Sequence, residues 1–318
     1  MSTRVAVVGS YVQDHCWRTD RFPLVGETRV GHFSTGPGGK GFNQAVAAHR
    51  QGVATRFIGA VGCDPLAATA RGFAAEAGLD CDWHAIAGQP TATSSIVVDA
   101  QGRNLIVVDL AANLALDAEH AAAAIPDSAQ VVLVQLETAL ATTAAALRRA
   151  REIGALALLN PAPLHPELSP ELLHSADIAT PNETEFALLL ARLGIDADLG
   201  EVWQRSDAEL HALARRSGVP TLVITLGAYG CFVSHGSNQR GDAEACYRVA
   251  PEDVQAIDTT GAGDAFSGAL AAALCFDGGR AFREAIVHAN RVAALSTERP
   301  GTAPAMPTLD EVRARFGG

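Results

Sequence analysis

Two glycine-rich segments hold the residue types from which group-transfer chemistry could be built. The later one reads Asp258-Thr-Thr-Gly-Ala-Gly-Asp264-Ala-Phe-Ser-Gly268 and leads into an apolar stretch reaching Cys275. Gly261 and Gly263 permit a tight turn with converging N–H groups, and the helix that follows aims its positive end at the same point, where an anionic phosphoryl group fits. Asp264 falls in the first helical turn. It could cap amide donors there, or it could orient and deprotonate an attacking hydroxyl beside the anion hole. The earlier segment, Gly36-Pro-Gly-Gly-Lys-Gly-Phe-Asn43-Gln-Ala, runs into a helix ending near Gly52. Its glycines would let backbone approach a ligand closely, and Lys40 and Asn43 supply a cation and an amide, which suits a small polar molecule. The plainer alternative is a flexible loop ahead of a helix capped by Asn43.

Other chemistries lose support. No GxxxxGK[ST] loop occurs, and no GxGxxG follows the first strand, so neither a Walker loop nor a dinucleotide fingerprint is present. The six cysteines (Cys16, Cys63, Cys81, Cys231, Cys246, Cys275) contain no CxxC pair, which argues against a zinc cluster or disulfide framework and for reduced, mostly buried thiols. The ten histidines show no HxH or HExxH spacing, so a structural transition metal is not expected. With 24 Lys and Arg against 35 Asp and Glu, the net charge of −11 repels phosphate backbones and anionic lipids. Nucleic acid and membrane are therefore not expected as partners. No apolar run approaches the roughly 20 residues of a membrane span, and Met1 to Ser10 lacks the features of a secretory signal. A cytoplasmic location is expected.

The elements that must position these residues follow an α/β alternation. Short β-branched runs at Arg4 to Val8, Arg56 to Val61, Val131 to Gln135, Ala155 to Asn160 and Leu222 to Thr225 are separated by alanine-rich helical stretches. Asn182 precedes a helix over Glu183 to Leu193, and Ala139 to Ile153 forms another. Two segments, Val12 to Thr35 and Thr91 to Leu110, fit no crossover helix. The second reads as a hairpin (Ser94 to Val98, turn at Asp99 to Gly102, Asn104 to Val108), and together they could form a small sheet beside the main domain. At 318 residues and 48% hydrophobic, with no repeat or long linker, the chain reads as a single large domain.

In order and spacing, Gly38 to Ala45 (GGKGFNQA) with Gly52 and Gly62, and Asp258 to Gly268 (DTTGAGDAFSG), resemble the two signatures of the ribokinase family, the PfkB-type carbohydrate kinases. Phe22 to Thr28 (FPLVGET), Gln135 to Glu137 (QLE), Asn160 to Pro163 (NPAP), Thr180 to Glu185 (TPNETE) and Ile224 to Gly227 (ITLG) extend the resemblance over nearly the whole chain. It implies a ribokinase-like α/β fold, with a mostly parallel central sheet flanked by helices and a small β-sheet lid from segments near 12–35 and 91–110. It also implies a homodimer packed through the lids, ATP as co-substrate, Mg²⁺ and a K⁺ site.

Residue by residue, the resemblance makes Asp264 the catalytic base and Gly261, Ala262 and Gly263 the anion hole. Asp14, Val12, Gly39, Lys40, Asn43 and Glu137 match sugar-site positions. Asn182 and Glu185 match the NxxE motif that organises Mg²⁺ and phosphates, although Asn182 could equally be a helix cap. Thr225, Gly227, Gly230 and Asn290 match nucleotide positions. Asp258, the Thr260 carbonyl and the turn holding Ser296, Arg299 and Gly301 match the K⁺ site.

Four departures bear on specificity. Val12 stands where an Asn usually faces ribose, and an unpaired sugar hydroxyl in a closed site costs about 1 to 3 kcal/mol. Phe42 replaces a small residue and could pack internally or face a base or larger sugar. Ala305 lacks a polar group near the K⁺ loop, and Ala112 replaces the glycine of a GAN-like segment ending at Asn113. The expected activity is ATP-dependent phosphorylation of a primary hydroxyl, D-ribose to D-ribose 5-phosphate. A nucleoside kinase of the same fold is the alternative. A non-catalytic sugar-sensing protein is a third reading, against which the intact Asp264 and glycine clusters argue.

Overall fold

The computed structural model describes residues 2–195, 200–276 and 281–317. Its strands in chain order are β1 (Val5–Val8), β2 (Val12–Arg18), β3 (His32–Gly38), β4 (Thr55–Val61), β5 (Asp80–Ala85), β6 (Thr93–Val98), β7 (Asn104–Asp109), β8 (Val131–Val134), β9 (Leu156–Leu159), β10 (Ile178–Ala179), β11 (Thr221–Thr225), β12 (Cys231–His235) and β13 (Cys246–Val249). The helices are α1 (Lys40–Arg50), α2 (Pro65–Ala77), α3 (Ala118–Ala124), α4 (Leu140–Glu152), α5 (Pro170–Leu173), α6 (Glu183–Arg192), α7 (Asp207–Arg216), α8 (Ala262–Ala273), α9 (Phe282–Ser296) and α10 (Leu309–Phe316).

The main sheet runs β13-β12-β11-β10-β9-β8-β1-β4-β5. It is parallel from β5 to β11 and ends in the antiparallel strands β12 and β13. Alternate residues of one strand enter different cores. Val5 and Val7 join α1, α2, α8 and α9 on one face, while Ala6 and Val8 join α3 to α7 on the other. Burial on both faces explains why Val131–Val134 and Leu156–Leu159 are apolar throughout instead of alternating. The five expected strands and the helices after Asn182, Ala139 and Gly261 lie within a residue or two of their places. The edge strand β5 (DCDWHA) is half-buried and polar, so its sequence hides it. The two residues of β10 are too few to carry a pattern.

A second sheet has the order β3-β2-β6-β7 and is built from the two segments that fit no crossover helix. Its first segment continues to Gly38 and passes through Gly39 directly into α1, so the glycine cluster ends a strand and is no free loop. Register places Trp17 beside Phe33 and Val97, and Val97 beside Leu105, on one face; Val12 and Asp14 belong to the opposite face.

The cysteines correct one expectation. All six are free thiols, but only Cys231 and Cys275 are buried; Cys16, Cys81 and Cys246 are half-buried and Cys63 is exposed. Cys63 stands in the turn before α2, and Cys16 lies on the thin second sheet. No helix among the described residues is long and apolar enough to cross a membrane.

Candidate active site

Parallel strands deliver their carboxyl ends to one rim of the sheet, where the segments after β1, β8, β10 and β11 meet the starts of α1 and α8. Gly261, in a left-handed conformation at φ 81°, opens α8, and no side chain caps that end. Asp264 is buried in the first turn. Its Oδ2 accepts from Asn43 Nδ2 at 3.0 Å and its Oδ1 from Gln44 Nε2 at 2.9 Å. The capping reading of Asp264 therefore fails: its carboxylate is oriented by amides of another helix. Asn43 is no cap either, since Gly39, at φ 89°, opens α1. The two helices touch because Gly268 has no side chain; a Cβ there would lie 2.2 Å from the Gln44 carbonyl.

Gly263 is the opposite case. Its backbone is ordinary helix, and a Cβ would meet nothing within 4 Å. Protein packing does not demand this glycine, and it leaves an open space at the helix start. Of the three expected anion-hole groups, Ala262 turns its N–H to the Thr259 carbonyl at 3.2 Å, and helix geometry leaves the remaining first-turn N–H groups without intrahelical acceptors.

On the second-sheet side, Asp14 Oδ1 accepts from Ser94 Oγ at 2.6 Å. Burial, aided by the nearby charges of Glu137 and Asp264, pushes the Asp14 carboxyl up to about 6 against the Ser94 bond. Glu137 Oε2 accepts from Ser10 Oγ at 2.5 Å and from the Lys40 N–H at 3.0 Å. Burial disfavours charge on the Lys40 ammonium, but Asp264, Glu137 and Glu185 outweigh it and raise its proton affinity. Asn43 Oδ1 is buried without a partner, an acceptor left over beside Asp264. Val12 starts the same strand face as Asp14, is 3% exposed and pairs with Gly38.

Three of the four glycines of the first cluster need a different explanation from ligand approach; the fourth, Gly36, has open space where a Cβ would be. A Cβ on Gly38 would lie 2.0 Å from Asp14 Oδ2, one on Gly39 2.7 Å from the Val12 nitrogen, and one on Gly41 2.6 Å from Gly9 backbone. They let the β1–β2 corner and the Asp14 carboxylate press onto the start of α1. Phe42 is fully buried against the rings of Tyr11, Phe57, Phe73 and Trp83, so it is core and faces no ligand.

On the side of β10 and β11, Asn182 caps α6 in a reciprocal box with Glu185: Asn182 Oδ1 accepts from the Glu185 N–H and Glu185 Oε2 from the Asn182 N–H, each at 2.8 Å. A backbone bridge joins Asn182 to Thr225. Burial raises the Glu185 carboxyl, with Asp264 adding, against the Asn182 bond and the Lys40 charge. Gly227 is exposed at φ 54°, with open space where a Cβ would be. Gly230 differs, for a Cβ there would strike the Val249 carbonyl at 2.0 Å, so backbone packing alone requires it. Asn290 donates to the Ala250 carbonyl at 2.9 Å and so fastens the loop that follows β13.

Asp258 links that loop to the turn after α9. Oδ1 accepts from the Thr260 N–H at 3.0 Å and Oδ2 from the Gly301 N–H at 3.1 Å, while Arg18 of β2 approaches Oδ2 at 3.3 Å. Burial opposes ionisation of Asp258, and these donors outweigh it, holding the carboxyl below its usual range. The Ser296 hydroxyl donates to the Ala293 carbonyl and the Arg299 side chain pairs with Glu311, so Arg299 could offer a cation only its main-chain carbonyl.

Asp264, Asn43, Lys40, Glu137, Asp14 and Glu185 thus converge. Three polar partners went unnoticed in the sequence: Ser10, Ser94 and Gln44. Gln44 carried a signal, a polar residue beside Asn43 in an otherwise apolar helix run. Ser94 had none beyond its place in a hairpin.

A model of the pfkB family of carbohydrate kinases matches residues 2–309. A ribokinase of Haemophilus influenzae is 36% identical over 317 residues, covering 98% of this chain and 97% of that protein. A mouse ribokinase is 35% identical over 308 residues, 95% and 91% of the two chains. Among solved structures, ribokinase from Giardia lamblia superposes with a TM-score of 0.87 at 26% identity over 99% of each chain. Arabidopsis thaliana ribokinase complexed with ribose and ATP gives 0.82 at 26% identity over 99% and 98%.

Proposed function

The chain belongs to the pfkB family of carbohydrate kinases and is an ATP-dependent sugar kinase, and from that premise we propose that it converts D-ribose to D-ribose 5-phosphate. One observation carries the reading: the buried Asp264 carboxylate is held by Asn43 and Gln44 beside the open space over Gly263. In this reaction the sugar's primary hydroxyl gives its proton to Asp264 as its oxygen forms a bond to the γ-phosphorus of ATP. The bond from that phosphorus to the β–γ bridging oxygen breaks, and ADP leaves. The first-turn N–H groups at Gly261, Ala262 and Gly263 face the charge that develops, with Ala262 contributing least because its N–H is already engaged. Each well-placed donor of this kind is worth about 3 kcal/mol of transition-state stabilisation.

Asp14 and Glu137 accept from sugar hydroxyls, and the unpartnered Asn43 Oδ1 offers a further acceptor beside the reacting group. Lys40, kept charged by the surrounding carboxylates, supplies a cation on the sugar side. Thr225, Gly227 and the Asn182–Glu185 cap form the nucleotide side; Asn290 acts there through the Ala250 loop. The hard carboxylate oxygens of Glu185 suit Mg²⁺, which would neutralise phosphate charge. The Asp258 carboxylate with carbonyls of Thr260, Ser296, Arg299 and Gly301 is an oxygen set that suits K⁺, which would bias the anion hole through its field. Omitting either cation from the assay tests each. The second sheet acts as the lid, and its apolar outer face, with Trp17 38%, Phe33 54%, Leu105 56% and Val107 74% exposed, fits a homodimer through the lids. A monomer by sedimentation at micromolar concentration would refute that assembly. A nucleoside as substrate has lost one of its two supports, because Phe42 is core.

Asp264→Asn tests the central role: kcat should fall about 10²-fold or more with nucleotide binding retained. Near-normal turnover would remove Asp264 from the chemistry.

A further inference from the structure

Two buried amides, Asn43 and Gln44, hold Asp264, and two more, Asn160 and Gln135, hold Gln44, so the polarity of that chain is dictated from one end. A carboxylate accepts only, so the Gln44 amide must present Nε2 to Asp264 Oδ1, at 2.9 Å. The same Nε2 donates to Asn160 Oδ1 at 2.9 Å, which turns Asn160 Nδ2 to the Thr180 carbonyl at 2.9 Å. Gln44 Oε1 then needs a donor and receives Gln135 Nε2 at 2.6 Å. This leaves Gln135 Oε1 buried with no partner, pressed to within 2.0 Å of where a Cβ of Gly9 would be. A core amide orphaned in this way costs stability, on the order of 1 kcal/mol or more. Packing alone gives no reason to keep that arrangement, whereas a donor fixed toward Asp264 does. Gln44 is fully buried and Gln135 nearly so.

We propose that Gln44 is a positioning residue for the kinase reaction: its amide, fixed by Gln135 and Asn160, sets the rotation of the Asp264 carboxylate. The proposal rests on the reading of Asp264 as the base. Asn43 holds the other oxygen from the same helix turn, so together the two amides fix the carboxylate plane. Displacing a reacting group by about 1 Å can cost 10²-fold in rate. The charged groups facing Asp264 are Lys40 of α1, Asp14 of β2 and Glu185 of α6, and none is altered by a change at Gln44.

The test is steady-state kinetics with Gln44→Met, which keeps length and removes the donor, and Gln135→Met, which touches Asp264 only through Gln44. For Gln44→Met, kcat should fall about tenfold to thirtyfold with KM for ribose and ATP within twofold. Gln135→Met should lower kcat by a smaller factor, again with KM nearly unchanged, and it carries the test if Gln44→Met does not fold. Unchanged kcat in the folded variants would overturn the proposal, as would a loss confined to KM. Asp264→Asn run alongside separates the two ideas: if it keeps near-normal turnover, the assignment of the base fails instead.

Discussion

Replacing Gly263 by alanine should make the protein no less stable and much less active. The two effects have separate origins. In the first turn of α8 the backbone is helical and a Cβ meets nothing within 4 Å. The change therefore carries only the helix preference for alanine over glycine, up to about 1 kcal/mol and less near a terminus. In a chain of this size that raises the melting temperature by about 1 to 2 °C. The same methyl fills the space that the proposed reaction needs for the transferring phosphoryl group. A displacement of about 1 Å there costs on the order of 10² in kcat, roughly 2.7 kcal/mol of barrier. Gly72→Ala is the control, since Gly72 is exposed within α2 with nothing within 4 Å of its Cβ and far in sequence from both motifs. It should show the stability gain alone. Scanning calorimetry with a coupled ADP-release assay reads both quantities. A Gly263→Ala protein with wild-type kcat would show that the open space is not used in catalysis, and a clearly destabilised one would show that the space is not open.

Three further outcomes are expected. Asp14, near 6 when folded against 3.8 when unfolded, binds more protons in the folded state between those values, so its contribution to stability is present at low pH and lost as pH rises through that window. Asp14→Asn should then stabilise the protein at pH 7, by up to about 3 kcal/mol, while ribose KM rises and its increase below pH 6 disappears; calorimetry and KM measured against pH check this, and an unchanged KM would move Asp14 out of the sugar site. Val12→Asn should raise kcat/KM for ribose about tenfold and lower it for any nucleoside; no change for either would mean that Val12 does not face substrate. Asp258→Asn should abolish stimulation by K⁺ relative to Na⁺ while the thermal transition persists, and equal rates in the two salts for the unaltered protein would dismiss the cation site.

The residues that converge at the candidate site were readable because their types cluster locally. Asp264 stands in a glycine-flanked helix start, and Lys40 and Asn43 stand in another. What was hidden were contacts across long separations. Nothing near Gln44 in the chain announces that it meets Asp264 some 220 residues later, and nothing near Ser94 announces Asp14. Glycine was legible as a residue that permits something, but not as what it permits. Gly38 makes room for a carboxylate of its own chain, whereas Gly263 makes room for nothing in the protein. Phe42 shows the same limit from the apolar side, because its partners Phe57, Phe73 and Trp83 come from other elements. Sheet membership was clear for strands buried on both faces and obscure for the polar edge strand β5.

The first turn of α8 opens beside Asp264 with no side chain capping it, so a helix directs its positive end at one spot of a molecule with a net charge of −11. The field an approaching anion feels therefore changes sign along its path. At long range it is repelled, and that repulsion is screened beyond about 8 Å at physiological ionic strength. At close range it meets backbone dipoles that salt inside a cleft barely weakens. Moderate salt should thus speed nucleotide capture, the reverse of the usual behaviour of a site built to receive anions. The arrangement also sorts anions by shape: a slender phosphate tail can reach the favourable zone, while a bulky polyanion experiences only the outer field and is turned away.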